Sequence, residues 1–105
     1  MKPNSESVVA GVLQDELDRN RRIQARYRQE IAQLPKGSLY LRKINHQQYY
    51  YLNYRQKDKI VAQYQGKSDD VKIPGIKQKI EQRKHYEALL KKLSNEEKLL
   101  LKALR

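Results

Sequence analysis

Between Ser38 and Gln65, Tyr, Leu, Ile and Val recur at every second position in three short runs, Ser38 to Ile44, Gln47 to Arg55 and Lys59 to Gln65, parted by polar turns. A period of two is the mark of an extended strand with one face turned to a core, and it predicts a three-stranded antiparallel meander over 38–65. Asn45 and His46 suit a two-residue turn, which pairs Leu41 with Tyr50 and Leu39 with Leu52, and on the other face Arg42 with Tyr49 and Tyr40 with Tyr51. For the second hairpin, a two-residue loop at Lys57 and Asp58 would set Gln63 and Gln65 on the apolar face. A three-residue loop of Gln56, Lys57 and Asp58 instead pairs Tyr54 with Ile60, Leu52 with Ala62 and Tyr50 with Tyr64, and burial of the apolar set favours it. The opposite face then carries Tyr40, Arg42, Tyr49, Tyr51, Asn53, Arg55, Lys59, Val61, Gln63 and Gln65.

Long helical patterns flank the meander. Over 5–34, Val9, Val12, Leu13, Leu17, Ile23, Tyr27, Ile31 and Leu34 fall on one stripe at 3.6-residue spacing, with Arg19, Arg22 and Arg26 beside it. Asn4 or Ser5 can cap the start, with Glu6 in the first turn, and Pro35 and Gly37 end it. Glu16 and Asn20 interrupt the stripe: either the helix projects past the sheet there, or Asn20 sits in a helix pair whose buried amide sets register. A second helix over 75–104 presents Ile73, Ile76 and Ile80, then Tyr86, Leu89, Leu90 and Leu93. Ser94 and Glu97 match a capping box, so a break near residue 94 is expected, with a last short helix holding Leu99, Leu100, Leu101 and Leu104. The expectation is a single α+β domain over 1–105, since a chain of 105 residues supports one modest core.

The charge is concentrated. The whole chain is formally +11, and residues 35–67 carry seven Lys or Arg against one acid, on the segment that also carries six of the eight tyrosines. Interleaved rings and cations suit a polyanion that bears bases. Cysteine is absent, which excludes disulfides, thiolate chemistry and cysteine-ligated zinc. No apolar run approaches the ~20 residues of a membrane span and the start is too weakly apolar for a secretory signal, so the reading is a soluble cytoplasmic protein.

The run LPKGS at Leu34 to Ser38, YYYL at Tyr49 to Leu52, then Tyr54, Arg55, Tyr64, Gly66 and Lys67 resembles a small uncharacterised bacterial domain family found in Gram-positive bacteria and their mobile elements. More loosely, the KGSLY strand followed by an aromatic and then a basic strand is similar to the arm-binding domains of phage integrases. This chain lacks the tryptophan common on their second strand, and no recombinase domain is expected behind it. The second resemblance implies DNA as partner.

The candidate nucleic-acid-binding residues are Tyr40, Tyr49 and Tyr51, which would stack or wedge, and Arg42, Arg55 and Lys59, which would hold phosphates or base edges. Lys77, Arg83 and Lys84 on the second helix would add phosphate contacts. Aromatic pairs also stabilise sheets without any ligand, and the helical lysines also suit a solvated face with pairs such as Glu87 to Lys91. His46 and His85 lack the converging ligands of a metal site, Asp69 and Asp70 suit a helix start, and no serine has a base partner. No catalytic residue, metal or cofactor is expected. The leading expectation is a small, basic, non-enzymatic nucleic-acid-binding protein, with DNA ahead of RNA, that uses the exposed Tyr and Arg face of the sheet. The alternative is a phage or mobile-element modulator that docks on a nucleic-acid-processing protein complex, in the manner of an anti-CRISPR inhibitor. A coiled-coil homodimer through the leucine-rich helices and a membrane-surface role for the last helix are further readings.

Overall fold

The computed structural model describes the backbone of residues 5–105 and the side chains from Val8 onward; the cap expected at Asn4 or Ser5 and the Glu6 side chain lie outside the described residues. The element order is α1 (Ser5–Ala32), β1 (Ser38–Ile44), β2 (Gln47–Gln56), β3 (Lys59–Lys67) and α2 (Ile73–Leu104), an α+β fold with one antiparallel sheet in the order β1-β2-β3. Two compact units share α2: one is formed by residues up to Ala32 with His85–Arg105, the other by Gln33–Lys84. No helix among the described residues is long and apolar enough to cross a membrane.

In the helical unit, α1 and the second half of α2 run antiparallel, because residues later in α1 meet residues earlier in α2. The Asn20 Nδ2 donates to the Leu93 carbonyl at 2.9 Å, and the Tyr27 and Tyr86 rings lie 5.2 Å apart. The buried residues of this pair are Leu17, Asn20 and Gln24. Of the two readings of Asn20, the buried amide holds. Gln24 in turn donates to the Asn20 Oδ1 and, at 3.1 Å, to the Glu97 Oε1, so the polar groups removed from water are bonded to one another. Val9 and Val12, expected on the buried stripe, are exposed. Leu99 and Leu101 are also exposed, with Leu100 between them half-buried.

The break expected near Ser94 is absent: α2 is one helix of 32 residues. Glu97 is taken up elsewhere, accepting from Arg21 Nε at 2.8 Å as well as from Gln24. A capping box needs its Glu to reach back to the cap residue's amide, and here the carboxylate faces α1 instead. Likewise α1 stops at Ala32 rather than Leu34, two residues earlier in the approach to Pro35.

The sheet unit is set by its turns. Asn45 and His46 both take positive φ, 49° and 68°, as a tight two-residue hairpin requires, and the β1–β2 register follows as expected. The second hairpin differs from expectation. Gln56 pairs with Lys59 across a two-residue loop in which Lys57 has φ of 56°. Tyr54 therefore faces Val61, Leu52 faces Gln63 and Tyr51 faces Tyr64. The difficulty that disfavoured this loop, two glutamines on the apolar face, is resolved by a β-bulge opposite Tyr50 and Tyr51: Gln65 is the extra residue, and Gly66 arrives opposite Tyr50. Gly66 is buried, and a Cβ there would come within 3.0 Å of an Asp70 carboxylate oxygen. Only Gln63 stays on the Leu52 face, and it is exposed.

Leu52, Ile73 and Ile80 are the buried apolar side chains of this unit. Lys77 Nζ sits 4.8 Å from the centre of the Tyr50 ring, which places the first half of α2 over the Leu52 face. Arg83 donates to the Leu34 carbonyl at 2.9 Å and ties α2 to the segment entering β1. At the start of α2, Asp70 accepts the Lys72 amide at 3.0 Å with its side chain and the Ile73 amide with its carbonyl, the helix-start role expected of this acid.

Candidate functional site

Residues paired directly across an antiparallel sheet share a face, so the observed register lays out the side opposite Leu52 in rows. One row is Tyr40, Tyr51 and Tyr64, one ring from each strand. Two residues toward the first hairpin lies a second row, Arg42, Tyr49 and Lys67. In the other direction come Ser38, Asn53 and Ala62, then Arg55 opposite Ile60. Neighbouring positions in a row are about 5 Å apart and successive rows about 7 Å.

The rings touch. Tyr64 is 5.6 Å from Tyr51 in an edge-on arrangement with planes at 65°, and 6.0 Å from Tyr49 at 53°. Such pairs hold ring positions while leaving outer faces to solvent. Tyr40 and Tyr64 are 53% and 54% exposed, and Tyr49 and Tyr51 are half-buried. Within this unit α2 lies on the other side of the sheet, so the row of tyrosines is not beneath it.

The structure brings together Tyr40, Arg42, Tyr49, Tyr51 and Arg55 from the expected set. It moves Lys59 away: paired with Gln56, Lys59 falls on the Leu52 face, and Val61 and Gln63 go with it. Tyr64 and Lys67 take their place on the tyrosine face. The signal that could have revealed them was Gly66, since a glycine inside a strand pattern marks a bulge, and a bulge permits the shorter loop. The helical cations stand apart from the rows. Lys77 is engaged with the Tyr50 ring, Arg83 with the Leu34 carbonyl, and Lys84 lies 3.7 Å from Glu81 on the exposed surface of α2. His46 is a turn residue, His85 lies beside Tyr86 on α2, and among the described residues no group of three His, Cys, Asp or Glu could hold a metal ion.

A family model described as a domain of unknown function, DUF6788, matches residues 13–75, more than half of the chain. The chain belongs to the DUF6788 family. The matched segment takes in most of α1, the whole meander and the first residues of α2, so every residue of the tyrosine face lies inside the DUF6788 domain. Lys77, Arg83 and Lys84 lie beyond it. No curated protein matches the chain, and no solved structure does.

Proposed function

We propose that this DUF6788 protein is a non-enzymatic nucleic-acid-binding protein, with DNA as the first ligand to try, and that the tyrosine face is its binding surface. The observation that carries the reading is the adjacency of two rows, Tyr40, Tyr51 and Tyr64 beside Arg42, Tyr49 and Lys67, on the side of the sheet opposite the first half of α2. Aromatic rings supply faces for bases, worth about 1–3 kcal/mol per stacked base, and the cations neutralise phosphates alongside. Arg55 adds a third cation near the second hairpin. The excess of positive charge over the whole chain draws a polyanion in from a distance.

The test is affinity for nucleic acid at two salt concentrations, by fluorescence anisotropy on the full chain. Binding that weakens steeply with salt, and that falls in Arg42→Ala and Lys67→Ala, supports the reading. No binding at low salt removes it. In that case, retention of one protein partner after nuclease treatment supports the alternative of a modulator docked on a nucleic-acid-processing complex.

A further inference from the structure

We infer that the ligand of this face is a single strand, laid across the β-strands with its backbone over Arg42 and Lys67 and its bases against Tyr40, Tyr51 and Tyr64. The inference rests on the nucleic-acid reading above and adds the form of the ligand and its direction. Two features of the register lead to it.

First, two of the three cations on this face line one row, and the third, Arg55, stands alone two rows beyond the tyrosines. Arg42 on β1 and Lys67 on β3 are level with each other, on either side of Tyr49, and about 10 Å apart. A sheet seated in a duplex groove meets two backbones and needs positive charge repeated along both edges. Here the row with Ser38, Asn53 and Ala62 carries none. A pair of cations in a row parallel to a row of rings suits one backbone, and Arg55 by itself does not make a second charged edge.

Second, the centre of the face is made of phenol rings. Base edges in a groove are read by forked donors and acceptors such as Arg, Asn and Gln, and bases inside a duplex are already stacked on each other. Tyrosines offer flat faces, which only unpaired bases can use. The edge-on contact of Tyr64 with Tyr51 and its tilted contact with Tyr49 keep those rings in place before a ligand arrives. About 7 Å separates the cation row from the tyrosine row, so base and phosphate of one nucleotide can reach both. The resemblance to integrase arm domains implied DNA and not its form; the register argues for a single strand.

The test compares a short oligothymidylate, an oligouridylate and a duplex of the same length on the full chain under identical salt. Either single strand is expected to bind at least about tenfold more tightly than the duplex, and the tighter of the two tells DNA from RNA. Tyr51→Leu and Tyr64→Leu should each weaken single-strand binding roughly 5- to 150-fold, while Tyr51→Phe and Tyr64→Phe, which keep the ring, should not. Tyr40→Leu serves if the others unfold the sheet, as Tyr40 is on an edge strand and more than half exposed. A duplex that binds as well as or better than the single strands overturns the inference and leaves the nucleic-acid reading standing. So does an equal loss in the Phe and Leu variants. Absence of binding to all three probes removes both.

Discussion

Tyr64 stands directly opposite Tyr51, its ring 5.6 Å away, because Gln65 is bulged out of β3 one residue later. Without the bulge the second hairpin would carry Gln65 onto the Leu52 face opposite Tyr50. With it, Gly66 takes that place and Lys67 joins Arg42 and Tyr49 on the open side. One irregularity thus lets the shorter loop and the burial of the apolar face coexist. It also completes the cation row.

The register separates two lysines that lie eight residues apart on one strand. Lys67→Ala is expected to reduce the salt dependence of nucleic-acid binding by about one phosphate, a change of about 0.7–0.9 in the logarithmic slope. Lys59→Ala, on the opposite face, is expected to leave that slope unchanged. A titration of both variants across several salt concentrations checks this, and equal effects would contradict the face assignment.

Two glycines should respond to alanine in opposite ways. Gly37 has φ of 106°, and a Cβ there would run into the main-chain carbonyl of Asn53 on β2. Backbone cannot swing aside as a side chain can, so Gly37→Ala should cost at least about 1–3 kcal/mol in denaturant unfolding. Gly11 lies in α1 with nothing near its Cβ position, and Gly11→Ala should stabilise by about 0.5–1 kcal/mol through helix propensity alone.

Asn20 joins α1 to α2 through the Leu93 carbonyl and accepts from Gln24, all within the buried part of the helix pair. Asn20→Ala leaves the Gln24 amide short of a partner away from water, and a loss of about 1–3 kcal/mol is expected in thermal unfolding. Gln14, bonded to Asp18 on the exposed side of α1, provides the contrast: Gln14→Ala should change stability by less than about 0.5 kcal/mol.

The Glu97 carboxyl is held below its ordinary value of 4.5, first by the hydrogen bond from Arg21 and then by that from Gln24. A carboxyl whose folded value is lowered adds stability above its unfolded value and loses it as pH falls through the folded one. Stability should therefore decline below about pH 4.5 on account of this group, and Glu97→Gln should show a shallower decline over that acid range. Parallel slopes for the two proteins in acid titration would show that Glu97 has no part in it. As Arg21 is half exposed, added salt should reduce the difference.

Much of the architecture was legible. Period-two and period-3.6 patterns reported two helices around a meander, and Asn45 and His46 determined every pair of the first hairpin, because a two-residue turn leaves no freedom in register. The charge and ring content of residues 35–67 marked the candidate face. Tyr64 and Lys67 were not legible there, since choosing the loop on burial alone made the wrong hairpin look better. Ser94 and Glu97 misled in a similar way: a local cap pattern competes with partners that are distant in sequence, and Arg21 and Gln24 supplied them.

By itself, then, the sequence settled what is local: which segments coil, which extend, where tight turns fall, and that rings and cations share the middle segment. Periodicity and turn chemistry act over a few residues, so they can be read in order along the chain. Only the tertiary structure decided the second hairpin's register, the continuity of α2, the buried role of Asn20 and the membership of the tyrosine face. Each of these depends on groups brought together from far along the chain, where buried polar groups such as Asn20 and Gln24 find their partners and apolar groups such as Leu52 find their cover.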